Sequence, residues 1–267
     1  LSVDILGFYQ PTSTLTFEQG EYANTGFTQW GASGLAVAWA EENTRESIFN
    51  AFKRKETFAT TGTRIALRFF GGFNLSSIDL NSESLISEAY EKGVTMGSDL
   101  LSDGVNSPEF IVWAKKDKNS APLQRIQIVK GWIDMTSGRP MEKVYDVVCS
   151  DGLEPDSETF RCPDNGARVN INDCSISTDV GSSELKTLWK DPEFIKADKS
   201  FYYARVLENP SCRWSTWDAI KAGYKPREDL HETIQERAWS SPIWYVPEES
   251  DVEVIPLGGT IQMRNID

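Results

Sequence analysis

RIALRFFGGF, residues 64–73, sets the register from which the rest of the chain is read. Ile65, Leu67 and Phe69 alternate with Ala66, Arg68 and Phe70, the period-two pattern of a strand, until Gly71-Gly72 interrupts it. Immediately upstream the period is helical. ENTRESIFNAFKRKE (42–56) places Ile48, Phe49, Ala51 and Phe52 on one face. Asn43 with Glu46 three residues on reads as a capping box, and Lys53, Arg54 and Lys55 fall in the last turn, where they complement the helix dipole. The change of period at TTGT (60–63) marks a boundary between an N-terminal unit, 1–60, and a C-terminal unit, 61–267.

Downstream, strand patterns recur between Gly, Pro, Asn and Asp clusters: FIVWAKK (110–116), LQRIQIVKGWID (123–134), KVYDVVC (143–149), FYYARVLE (201–208) and SPIWYV (241–246). SSELKTLWK (182–190) and TWDAIKAG (216–223) read as short helices. Upstream, VDILGFY (3–9) has strand length and 11–34 reads as a long polar loop before the apolar LAVAWA (35–40). The C-terminal unit is therefore expected to be a strand-rich sandwich.

At 267 residues and 39% hydrophobic, the chain can bury a sizeable core. A net charge of −13 argues against a nucleic-acid partner, because phosphate-backbone affinity rests on basic patches. No apolar run is long enough for a membrane span, and no signal peptide is visible. The apolar stretch opening at Leu1 reads as a processed or truncated chain.

Four cysteines allow two disulfides. Cys149 and Cys162 bracket a polar segment without core periodicity, and Cys174 and Cys212 adjoin turn signals. The favoured pairing is Cys149 with Cys162 and Cys174 with Cys212, which implies an oxidising compartment, periplasmic or secreted; the alternative is four thiols in a cytosolic protein. No CxxC pair exists, and the one histidine, His231, lies in a polar stretch where no Ser-His-Asp triad can be built around it. Nine tryptophans invite a carbohydrate-binding reading, but a platform needs several exposed rings in a row and the sequence displays none. Trp113, Trp132, Trp189 and Trp244 lie in or beside apolar segments and are expected to fill core.

GLAVAWAEENTRESIFNAFKRKETFATTGTRIALRFFGGF (34–73), PLQRIQIVKGWID (122–134), EKVYDV (142–147), DNGARVNINDC (164–174), FYYARVLENPSCRWSTWD (201–218) and TIQERAWSSPIWY (233–245) resemble the C-terminal signature of the family catalogued as domain of unknown function 3604. Its members look like relatives of the polymerase-and-histidinol-phosphatase hydrolases, which combine a divalent-metal (β/α) barrel with a strand-rich C-terminal part. The resemblance implies an α+β chain: the closing strand and helix of a hydrolase-like barrel in 1–60, then a sandwich-like domain in 61–267. It also implies that a missing N-terminal half, or another polypeptide, packs on residues 1–60.

In the family the strand before the long loop ends in a GF-x-x-S-S-D-T-H pattern, whose Asp and His are the expected ligands. Setting Gly7 and Phe8 on its GF places Ser13 at the Asp and Leu15 at the His, with Thr14 retained. A serine hydroxyl is a poor ligand for a catalytic divalent ion, and leucine has no donor at all. This chain alone is thus expected to bind no metal, a divalent ion belonging to the complete parent protein. Two functions follow: the C-terminal portion of a metal-dependent hydrolase of phosphate or other esters, or a secreted binding or assembly protein with a decayed metal site. Arg64 and Arg213, both inside the matched blocks, are the candidate substrate-binding residues, because a guanidinium holds an anionic group bidentately. The structural alternative for both is an ion pair or carbonyl cap.

Overall fold

The computed structural model describes residues 14–17, 20–23, 31, 33–134 and 137–248, the first two segments as backbone only. In chain order the strands begin with β1 (Thr14–Phe17), β2 (Gly20–Ala23) and β3 (Leu35–Ala38). Helix α1 (Arg45–Lys53) leads into β4 (Thr57–Thr60) and β5 (Ala66–Gly72). A 3-10 turn (Leu75–Ser77) and α2 (Leu85–Lys92) precede β6 (Gly93–Thr95), β7 (Asp99–Leu101), β8 (Glu109–Lys115), β9 (Leu123–Ile133) and β10 (Pro140–Cys149). Then come β11 (Val169–Asn170), β12 (Ser175–Ile176), β13 (Glu184–Lys190), β14 (Ser200–Glu208) and β15 (Ser211–Cys212). Helix α3 (Trp214–Ala222), β16 (Thr233–Ile234), β17 (Arg237–Ser240) and β18 (Ile243–Val246) follow.

Two sheets carry the fold. The larger has the order β10-β9-β14-β17-β4-β3, with β18 also joining β14 and β7, and the smaller is β13-β8-β5-β6. All of these pairs are antiparallel except β18 with β7. The inner face of the smaller sheet (Leu67, Phe69, Phe110, Val112, Leu185) packs on that of the larger (Ile126, Ile128, Tyr202, Ala204, Val206, Ile243), forming the main core. The protein is therefore β-rich, with three α-helices among the described residues. The larger sheet draws strands from both sides of residues 60–63, since β4 pairs with β17.

The alternation read in 64–73 holds, with an addition. Leu67 and Phe69 face the main core, while Phe70 on the opposite side is covered by Leu75, Ile78, Leu85 and Ala89 from the 3-10 turn and α2. The helix α2 was not apparent in the sequence, and it is what makes this strand apolar on both faces.

Several expectations are corrected. Residues 184–190 are the edge strand β13, paired with β8 from Glu184–Lys115 to Lys190–Glu109. Leu185, Leu188 and Trp189 imitate helical spacing, yet Leu185 and Trp189 pack on the main core and Leu188 on the α2 side, so tertiary pairing overrides local pattern. The supposed loop 11–34 contains the β1–β2 hairpin. In α1 the N-cap is Thr44, whose Oγ1 accepts from Ser47 N, and Ser47 Oγ accepts from Glu42 N, so the cap is set one residue later than Asn43. Its apolar face is not buried as a whole: Ala51 is enclosed, but Phe49 and Phe52 are 64% and 51% exposed. Where the family resemblance implies the end of a barrel, the described residues show β3 and β4 as an antiparallel pair joined through α1.

Candidate functional site

Ser13 lies outside the described residues, as does the side chain of Leu15, whose backbone belongs to β1. Among the described residues no group of three or more His, Cys, Asp or Glu is arranged to hold a metal ion. Arg64 is exposed, and its backbone N–H donates to Asp117 Oδ2 at 2.8 Å. Arg213 is buried at the start of α3, donates to Ser215 Oγ at 2.7 Å and lies 5.1 Å from the Trp214 ring centre. Burial, and then the charge of Arg227, push its guanidinium below its ordinary value. The four cysteines form Cys149–Cys162 and Cys174–Cys212, with Cα separations of 5.7 and 5.6 Å.

The candidate site lies elsewhere, on the face of the larger sheet turned away from the core. Strand alternation decides this: with Ile126 and Ile128 inward, Gln127, Gly131 and Ile133 point outward on β9, as do Phe201, Tyr203 and Arg205 on β14. Trp239 pairs with Arg205, and Trp244 with Phe201.

At one end of this face two guanidiniums, Arg125 and Arg161, stand beside the carboxylate of Asp146, with Arg205 and Arg237 nearby. Asp146, buried on β10, accepts from Gln127 Nε2 at 2.6 Å and from Cys162 N at 2.8 Å, and it lies 3.3 Å from Arg161 Nη1 and 3.6 Å from Arg125 Nε. Arg205 Nε donates to Gln127 Oε1 at 2.6 Å, and Arg237 Nε to the Gln235 carbonyl at 3.0 Å. Burial pushes the Arg125 guanidinium down and Asp146 opposes this; the charges of Arg161, Arg205 and Arg237 add to the lowering. Arg125 Nε is enclosed and makes no hydrogen bond. Two guanidiniums on one carboxylate, with two more nearby, make a donor-rich patch suited to an incoming anion.

At the other end is an open groove of about 620 Å³ whose lining includes Gly131, Ile133, Glu142, Phe201, Trp244 and Val246. Phe201 meets Trp244 at 5.1 Å and Tyr203 at 6.5 Å between ring centres. Trp244, expected to fill core, is 45% exposed, whereas Trp189 does pack against the core. The aromatic row missing from the sequence is thus assembled across strands. The sequence signal for the cationic end was the polar residue at alternate positions, Arg125 and Gln127 in one apolar run and Arg205 in another.

An antiparallel β-sandwich with a disulfide-stapled excursion and a cationic sheet face defines the class of protein. The chain matches, over residues 9–247, the family described as protein of unknown function (DUF3604), and it belongs to that family. No curated protein and no solved structure matches it.

Proposed function

We propose that this chain is the substrate-holding C-terminal portion of a metal-dependent hydrolase acting on phosphate or other anionic esters, not catalytic by itself. The observation that carries this reading is the pair Arg125 and Arg161 at Asp146, with Arg205 joined to them through Gln127 and Arg237 close enough to act on Arg125, in a protein of net charge −13. Any metal of the parent protein is then held by residues beyond those described. The exposed Phe49 and Phe52 support packing of α1 against an N-terminal half of the parent protein or another polypeptide. The two disulfides support a periplasmic or secreted location.

Calorimetric titration of the chain with inorganic phosphate and sulfate tests the reading. Binding should weaken about tenfold or more in Arg125→Gln, the loss of one charge-assisted contact, and also in Arg161→Gln, whose half-exposed side chain makes misfolding a poor explanation. Unchanged titrations in both variants would remove the site. Arg64→Ala in the same series tests whether that exposed arginine joins the four.

A further inference from the structure

The cationic cluster and the aromatic groove occupy one continuous sheet face, and we infer that together they bind a glycan chain carrying carboxylate or sulfate groups. This rests on the proposed anion site and names its ligand class.

Arg125 and Gly131 are six residues apart on β9, which at the rise of a strand is about 20 Å. No monosaccharide or free phosphate reaches across that distance, so a ligand using both ends is a polymer. Trp244 and Phe201 line the groove, with Tyr203 beside Phe201 on the same face, and the negative face of an aromatic ring attracts the polarised C–H bonds of a pyranose. Asp99, Glu142 and Lys199 rim the same groove. All three are exposed and suited to sugar hydroxyls, which both donate and accept. At the far end, Arg125 and Arg161 on the single carboxylate of Asp146, with Arg205 and Arg237 nearby, favour negative charge.

Single-stranded nucleic acid also combines stacking with phosphate binding, but it needs cations along the whole track beside the stacking rings. Here the two are segregated, and the carboxylates of Asp99 and Glu142 stand beside the rings, where a phosphate backbone would be repelled.

The test titrates the full chain with polygalacturonate oligomers, dextran sulfate, neutral dextran and a thymidylate oligonucleotide, alongside inorganic phosphate. At least one anionic glycan should bind tenfold or more tighter than dextran, and which one distinguishes carboxylate from sulfate. Trp244→Ala should weaken glycan binding at least tenfold while leaving phosphate binding intact, Trp244→Tyr should restore it, and Arg125→Gln should weaken both. Glycan binding indifferent to Trp244→Ala, or no glycan binding, overturns the proposal while phosphate binding keeps the anion site standing. Loss of all anion binding would sink the anion site as well. Preference for the oligonucleotide assigns the face to nucleic acid and overturns the glycan.

Discussion

The Phe201 ring fills the space above Gly131 that any other side chain would occupy: a Cβ placed on Gly131 would come within 2.3 Å of Phe201 Cζ. The two residues are direct partners in the β9–β14 ladder, so the missing side chain lets the ring lie against the sheet and form the floor of the groove. Gly131→Val should therefore displace the ring, lower stability by about 1–3 kcal/mol and abolish whatever binds at Trp244. Thermal unfolding with the titration described above checks it, and a variant with unchanged affinity would show that the ring's position is immaterial.

The two crosslinks close loops of different length, 13 residues for Cys149–Cys162 and 38 for Cys174–Cys212. Loop-closure entropy predicts that replacing both cysteines of the longer one by alanine costs about 4 kcal/mol and of the shorter about 3 kcal/mol. Denaturant titration of the two double variants gives the order. A reversed order would point to effects other than the unfolded chain.

Glu208 is fully buried at the end of β14, where burial chiefly pushes its carboxyl up to about 7; Ser120, donating to Oε2, opposes this and the Glu236 charge reinforces it. An unfolded glutamate ionises near ~4.3, so between that value and neutrality the folded chain binds the extra proton. The stabilisation is present in full below the unfolded value and is lost as pH rises through 7, by up to about 4 kcal/mol. Glu208→Gln, neutral throughout, should gain stability relative to the parent between pH 5 and pH 8. A pH-independent difference in melting temperature would refute the assignment.

Lys130 and Asp191 form a buried pair, Nζ to Oδ2 at 2.6 Å, and Tyr202 OH donates to the same oxygen at 2.7 Å. Asp191→Ala strands the ammonium and should cost about 3–5 kcal/mol, whereas replacing both charges, as in Lys130→Met with Asp191→Leu, should recover much of it. Chemical denaturation of the single and double variants decides; equal losses would mean that packing, not charge, governs the site.

Much of the sandwich was legible because its central strands are long and period-two: the stretches 110–116, 123–134, 143–149 and 201–208 lie within or almost within β8, β9, β10 and β14. Residues 184–190 were not, since an edge strand whose two faces both meet apolar neighbours carries leucines at helical spacing. The disulfide pairing favoured from the polar segment between Cys149 and Cys162 and the turn signals beside Cys174 and Cys212 is the one the fold contains. The groove was not, because Phe201 and Trp244 become neighbours only through the β14–β18 pairing of residues 43 positions apart. For the same reason Arg64 and Arg213 attracted attention inside the matched blocks, while Arg125, Arg161, Arg205 and Arg237, drawn from four separated segments, converge only in the fold.

Arg161 immediately precedes Cys162, and the Cys162 N–H holds Asp146, the shared counter-ion. Thiol oxidation thus fixes a cation and its balancing carboxylate in a single event. A chain in which the Cys149–Cys162 bond has not formed would carry three of the four arginines in place and an untethered fourth, so assembly of this patch is coupled to thiol oxidation.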